Sequence, residues 1–181
     1  MSQFEEKQLE RQEIFDGAVL HVVKDKILLP DGNVSFREFC LHKGAVAVIP
    51  ITDDDEVIMV RQFRYAHHRE FLEIPAGKLD FVGEDPLEAT KRELREETGA
   101  VAEKITYLGT LDTTPALIDE QIHMYMAEGL TFGDSEPDED EFLAVERIPL
   151  TNLVDMVMNG EIRDGKTQIA ILKAAKLRNK L

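Results

Sequence analysis

The sequence predicts a mixed α/β fold: one mixed sheet flanked by helices, with a small antiparallel sheet ahead of it at the N-terminus. Three observations carry this. Strands and helices alternate irregularly rather than as repeated βαβ units, which argues against a doubly wound parallel sheet. Residues 46–51 are a near-continuous apolar run, as a strand buried on both faces requires. Residues 85–99 carry start and stop signals for one helix. Asp85 suits the cap, Pro86 the first helical position, Glu88 the return half of a capping box, and Gly99 a left-handed terminator.

Residues 1–13 are polar and charged and read as a loose lead-in or part of a first strand. Residues 18–29 and 34–41 read as strands on either side of the turn signal Pro30-Asp31-Gly32-Asn33. A sheet of this size cannot bury a core alone, so it must dock on the next domain or on another subunit. Gly44-Ala45 marks the boundary, which divides the chain into an N-terminal β segment, 1–42, and a main domain, 43–181. Strands are expected in the latter at 46–51, 57–64, 70–74, 105–111, 121–127 and 142–148. Residues 52–55 read as a turn, and the acidic run at 134–141, interrupted by Pro137, as a solvated loop. A helix should run from Pro149 to Met158 and stop at Gly160. Asp164 should cap a last helix from Thr167 to Arg178.

At 181 residues the chain suffices for one domain with a full core and a small appendage. A net charge of −15 lacks the basic footprint of a nucleic-acid binder. Cys40 is the only cysteine, which excludes an intramolecular disulfide and a cysteine zinc cluster and points to a reducing compartment. The N-terminus has no apolar signal core, and no stretch approaches membrane-spanning length. The expectation is a soluble cytoplasmic protein with neither nucleic acid nor membrane as partner.

The chemistry concentrates on the helix at 85–99. Glu93, Glu96 and Glu97 are spaced i, i+3, i+4 and share one helical face. Three like charges there repel unless something offsets them. Mg²⁺ does so, because it takes carboxylate oxygens, keeps several waters and bridges to phosphates. A solvated acidic face is the competing reading of any Glu-rich helix. The surrounding residues speak against it. Arg92-Glu93-Leu94-Arg95-Glu96-Glu97-Thr98-Gly99 follows Glu84 after seven residues, with Gly77 upstream. This resembles the Nudix box, the signature of hydrolases that cleave nucleoside diphosphates linked to another moiety. In that pattern five residues separate the first Gly from the first Glu. Here six separate Gly77 from Glu84, and the extra one lies near Phe81 and Val82. The final aliphatic position is Ala100.

The resemblance implies a Nudix-type α/β/α sandwich over residues 43–181. The flanks are similar to the ADP-ribose pyrophosphatase branch, through Ile14-Phe15-Asp16-Gly17, Leu29-Pro30-Asp31-Gly32, Arg37-Glu38, Val60-Arg61-Gln62-Phe63-Arg64-Tyr65 and Leu72-Glu73-Ile74-Pro75-Ala76-Gly77. Pro115 lies sixteen residues after Gly99, as in that branch, but the usual Ser-Pro-Gly is Thr114-Pro115-Ala116. Asp164-Gly165-Lys166-Thr167 also looks like the branch.

What the resemblance implies for the site is a divalent metal, Mg²⁺ with Mn²⁺ as alternative, on Glu93, Glu97 and the Ala76 carbonyl. Glu120 and Glu96 become the catalytic acids, with Glu120 as base or extra metal ligand. Substrate contacts fall on Arg37, Arg64 and Glu73. Guanidinium groups suit diphosphate oxygens and stack on adenine. Glu84 and Arg92 either orient the acidic cluster or pair with neighbours. Arg61, an odd number of strand positions from Arg64, points away from it. His67 and His68 are adjacent, face opposite ways on an extended segment, and read as surface histidines. The implied enzyme is a homodimer whose N-terminal sheet reaches the neighbouring subunit. Three functions compete: hydrolysis of ADP-ribose, hydrolysis of another nucleotide sugar such as GDP-mannose, and non-catalytic ligand sensing. The intact run of glutamates speaks against the last.

Overall fold

A computed structural model describes residues 2–135 and 142–181, so positions 136–141 of the expected acidic loop lie outside the described residues. The chain divides into two compact units, Met1–Lys43 with Asp112–Gln121, and Gly44–Leu111 with Ile122–Leu181.

The first unit is built on a three-stranded sheet in the order β1-β2-β3, with β1 Lys7–Asp16, β2 His21–Leu28 and β3 Val34–Leu41. All pairings are antiparallel. The polar lead-in is therefore a strand from Lys7 onward. The turn between β2 and β3 forms as its residues dictate: Gly32 has φ +86, and the Asn33 N–H donates to the Asp31 carboxylate at 3.0 Å. Asp25 is buried, and Arg11 opposite it donates two hydrogen bonds at 2.8 and 2.7 Å. That pairing outweighs burial and holds the Asp25 carboxyl below its ordinary range. The excursion Asp112–Gln121 belongs with this sheet. The Cys40 N–H donates to the Leu117 carbonyl at 2.8 Å, and the Asp119 N–H to the Cys40 carbonyl at 3.2 Å.

The second unit contains β4 Ala45–Pro50, β5 Glu56–Arg64, β6 Arg69–Glu73, β7 Ala76–Lys78, α1 Pro86–Thr98, β8 Ala100–Asp112, β9 Gln121–Phe132, β10 Ala144–Pro149, α2 Leu150–Met158 and α3 Gly165–Leu177. The sheet β7-β4-β9-β8 is mixed: β4 runs parallel to β9 and antiparallel to β7. A second sheet, β10-β5-β6, is antiparallel.

β4 is buried along its whole length and shows why a helix lies on each side. Successive side chains on a strand point to opposite faces. Ala45, Ala47 and Ile49 join Leu150 and Leu153 of α2 and Ala170, Ile171 and Ala174 of α3 in one core cluster. Val48 packs instead with Leu94 of α1, and Val46 with Ala89 of α1 and Leu79. The α/β/α layering thus follows from an apolar strand that alternates between two cores.

The framing of α1 is as its sequence signals except at Glu88, which makes an ion pair instead of closing a capping box. Asp85 accepts the Leu87 N–H at 2.9 Å, Pro86 stands at the first helical position, and Gly99 terminates the helix at φ +68. Glu88 turns to Lys91, 2.7 Å away. The strand expected from Ile105 begins at Ala100, because Gly99 reverses the chain directly into β8. A Cβ on Gly99 would overlap the Gly133 carbonyl, whereas one on Gly160, also left-handed at φ +78, would meet open space. Gly160→Ala should therefore cost about 1 kcal/mol, and Gly99→Ala on the order of 2–4 kcal/mol because backbone strain and overlap add. Urea denaturation of the two variants checks this, and equal losses would mean that the contact with Gly133 is not felt.

Candidate active site

The acidic face of α1 is graded by burial. Glu97 lies on the stripe that faces the sheet and is 3% exposed. Glu93 and Glu96 lie at its margin, half-buried. Ala76 on β7, paired with Ala47, donates its N–H to Glu97 Oε2 at 3.3 Å. Gly77 follows, and a Cβ built there would overlap the Glu93 carboxylate. Only a glycine allows that close approach of helix carboxylate and strand. Two acids one turn apart are thereby brought against one edge of β7.

Arg92 organises the outer side of the cluster. Its Nη1 donates to Glu93 Oε1 at 2.7 Å and to Glu96 Oε2 at 3.4 Å. Its Nη2 reaches Glu84 Oε1 at 3.4 Å and Asp80 Oδ1 at 3.5 Å. Glu84 also accepts the Asp80 N–H at 2.7 Å, which ties it to the loop before α1. Burial works against the Arg92 charge, but Glu93, Asp80 and Glu84 more than offset it and raise its pKa.

Beside this lies a second ionic group in the same unit. Arg64, at the end of β5, donates Nε and Nη2 to the two Glu73 oxygens at 2.8 and 2.7 Å. Lys166 of α3 donates to Glu73 Oε2 at 2.5 Å and to Asp164 at 3.0 Å. Glu73 is 2% exposed. Burial pushes its carboxyl up, but the Arg64 hydrogen bonds and the Lys166 charge together prevail and hold it at about 2.

Two sequence-predicted residues, Arg37 and Glu120, lie in the first unit. Arg37 is exposed on β3, donates to the Phe36 carbonyl at 2.9 Å and pairs with Glu6. Glu120 accepts the Thr113 hydroxyl at 2.9 Å and stands 3.6 Å from His42 Nε2. The His42 N–H in turn donates to Asp119 Oδ1 at 2.6 Å. Arg61 pairs with Glu146 on β10, and His67 and His68 are exposed.

Sequence reasoning named Lys166 only within the branch-like run Asp164–Thr167, without a role, and did not single out His42. For Lys166 there was a signal: a cation in the first turn of a helix, where the dipole disfavours it, calls for a carboxylate partner. For His42 there was none, since its partners are 77 and 78 positions away along the chain.

The donor set fits a hard divalent cation. Glu93 and Glu97 supply carboxylate oxygens beside the Ala76 peptide, and such an ion asks for one or two carboxylates and fills its other positions with water and phosphate. Among the described residues, no group of three His, Cys, Asp or Glu side chains forms a ready-made cage.

A family model described as "NUDIX domain" matches residues 41–168. The chain belongs to the Nudix family. It is 42% identical over 173 residues to the ADP-ribose pyrophosphatase of Bacillus subtilis, covering 94% of this chain and 93% of that one. A Bacillus methanolicus relative, called methanol dehydrogenase activator, is 41% identical over 93% of this chain and 91% of its own. The fold superposes on a crystal structure of an ADP compounds hydrolase with a TM-score of 0.85 over 100% of both chains, at 23% identity.

The low pKa of Glu73 makes a stability prediction. A carboxyl held at about 2 when folded, against 4.5 as its ordinary value, stabilises the fold above pH 4.5. That contribution, on the order of 3 kcal/mol, is lost as pH falls from 4.5 toward 2. Urea denaturation of wild type and Glu73→Gln should show their stability difference largest above pH 5 and shrinking below about pH 4. A difference independent of pH would mean that Glu73 is not held as an anion.

Proposed function

We propose that this chain hydrolyses the diphosphate linkage of ADP-ribose with a divalent cation, Mg²⁺ or alternatively Mn²⁺. Water adds across one P–O bond of the diphosphate bridge, giving AMP and ribose 5-phosphate. The observation that carries the reading is the carboxylate cluster of α1, intact in a chain 42% identical to an ADP-ribose pyrophosphatase. The cation would neutralise charge on phosphate oxygens and render water nucleophilic.

The chain's own groups divide the remaining work. Glu93, Glu97 and the Ala76 carbonyl would hold the cation. Arg92 orients Glu93 and Glu96 against each other. Arg64 and Arg37 bind the substrate, and Glu73 contributes by holding Arg64. Glu120 takes the proton of the attacking water, with Thr113 and His42 fixing its carboxylate, and Glu96 assists. Its position on the Asp112–Gln121 excursion suits a group that meets substrate from a loop.

The experiment is a substrate panel of ADP-ribose, NADH and GDP-mannose, with product chromatography, on wild type, Glu97→Gln and Glu120→Gln. ADP-ribose should be the best substrate. Glu97→Gln should remove most turnover while remaining folded, and chelation should mimic it reversibly. Glu120→Gln should lower kcat by roughly 10²-fold or more with little change in KM. GDP-mannose as best substrate would replace the sugar assignment, and full activity of Glu97→Gln in saturating Mg²⁺ would remove the metal assignment. Binding of ADP-ribose without products would make the chain a sensor.

The residues 1–42 are proposed as the dimer-forming segment and 43–181 as the catalytic domain. Support comes from the first unit. All ten residues of β1 are exposed, and Leu9, Ile14, Phe15, Val34 and Phe36 are among the exposed large apolar residues. An apolar sheet of this kind in a stable protein asks for a cover. The cover proposed is the same segment of a second copy. Sedimentation velocity should give a dimer for the full chain and a monomer for the Leu9→Glu, Ile14→Glu double variant. A monomeric, fully active wild type refutes this. Cys40 as single cysteine supports a reducing compartment, and among the described residues no helix is long and apolar enough to cross a membrane. The cytoplasm is the compartment proposed.

A further inference from the structure

α3 begins with a lysine that its own helix disfavours. Lys166 lies in the first turn, where the N-terminal dipole repels a cation. Its side chain is 11% exposed and spans two carboxylates, Glu73 at 2.5 Å and Asp164 at 3.0 Å. Asp164 is also the cap of α3 and accepts the Thr167 N–H at 2.9 Å. The Thr167 hydroxyl, fully buried, accepts the Ile74 N–H at 3.0 Å. The first turn of α3 therefore holds two consecutive residues, Glu73 and Ile74, just before the Ala76-Gly77 strand.

The bonds beyond Glu73 give this a direction. A glutamate carboxylate turns readily about its last torsion, which is broad and two-fold. Lys166 on Oε2 and the Arg64 fork on both oxygens leave Glu73 one orientation. Arg64 uses two of its five N–H donors there, so its Nη1 edge keeps donors to spare. Its side chain is 42% exposed, so the guanidinium is not sealed off by its partners. The two cations and two anions sum to no net charge. Four charges bonded to one another in this way fix one another's geometry.

We propose that Lys166 is a positioning residue for substrate binding: by pinning the Glu73 carboxylate it fixes the Arg64 guanidinium, leaving its remaining N–H edge exposed for a phosphate of the nucleotide. This rests on Arg64 being a substrate contact. Lys166 itself touches no reacting atom. Its loss frees Glu73 to rotate, lets Arg64 follow, and weakens ground-state and transition-state binding alike, which is read in KM.

The test uses the full chain as Lys166→Met, Lys166→Arg, Arg64→Ala and the Arg64→Ala, Lys166→Met double variant. Steady-state kinetics are measured on the best substrate of the panel, alongside the ¹⁵N–¹H signal of Arg64 Nε. Lys166→Met should raise KM about 10-fold with kcat within about twofold of wild type, and Lys166→Arg should restore most of the loss. In the Arg64→Ala background, Lys166→Met should change KM no further, since the two act in series. The Arg64 Nε–H signal should be sharp in wild type and broadened in Lys166→Met. An unchanged KM with an unchanged signal overturns the proposal. So does the same KM increase with and without Arg64, which would make Lys166 a support of the fold at large. Should Lys166→Met not fold, Lys166→Gln, shorter and uncharged but still carrying amide N–H donors, gives the same split. A wild type inactive on ADP-ribose but active on another diphosphate moves the substrate assignment and leaves this test intact. A chain inactive on every substrate leaves the Nε–H signal to decide whether Lys166 locks Arg64.

Discussion

A carboxylate buried on the sheet-facing stripe of α1 is the constraint on which the site depends. Glu97 shares that stripe with Ala89 and Leu94, whose burial docks the helix on one face of β4. An ionised group so placed costs several kcal/mol unless it is hydrogen-bonded and offset by positive charge. The strand beside it helps by supplying the Ala76 N–H and, at Gly77, the space for Glu93. A cation between these acids would complete the compensation. The arrangement works only while β7 keeps its place, so the elements that hold β7 are part of the site.

Those elements come from both sides of β4. The Val48 N–H donates to the Pro75 carbonyl at 2.9 Å, and Ala76 and Gly77 pair with Ala47 and Val46. From the other face α3 contributes Thr167 on Ile74. The far end of α3 is held as well, since Arg178 bonds Asp55 at 2.5 Å and Glu128 at 2.6 Å. Asp55 closes the β4–β5 turn with a left-handed φ of +59, and its carbonyl accepts the Leu150 N–H that begins α2. One helix therefore spans from the strand turn at Asp55 to the residues that precede β7. Its apolar contacts supply the stability, and its ionic ends supply the register.

Local chemistry made much of this legible in the sequence. The caps of α1 and α3, the Pro30–Asn33 turn and the double burial of β4 each follow from residues within a few positions of one another. So does the acidic face, because helical spacing converts i, i+3, i+4 directly into proximity. Long-range pairings were not legible. Arg64 and Glu73 are nine residues apart on paired strands, Lys166 is 93 residues from Glu73, and His42 is 78 from Glu120. Nothing in composition or periodicity encodes such pairs. The inclusion of Asp112–Gln121 with the N-terminal sheet was hidden for the same reason: one parallel bridge, Cys40 to Ile118, and a few hydrogen bonds create it.

The two departures from the family pattern show how local backbone chemistry protects a site from sequence change. The extra residue before Glu84 is taken up in a turn, where the Glu84 N–H donates to the Phe81 carbonyl at 3.2 Å and Gly83 adopts φ +90. A Cβ on Gly83 would meet nothing, so the turn stands clear of its surroundings. Glu84 still reaches Arg92, and the helix carboxylates keep their spacing. The missing glycine after Pro115 is tolerated differently. The N–H groups of Leu117 and Ile118 both donate to the Thr114 carbonyl, at 2.8 and 3.1 Å, which closes a right-handed turn. Ala116 is not among the residues with left-handed φ, so an alanine there carries no strain. The turn leads to Asp119, whose carboxylate accepts the His42 backbone N–H, and to Glu120, whose carboxylate accepts the Thr113 hydroxyl. A stiffer loop loses less entropy when it orders around a substrate. Ala116 keeps this turn without strain and leaves the backbone there less free than a glycine would.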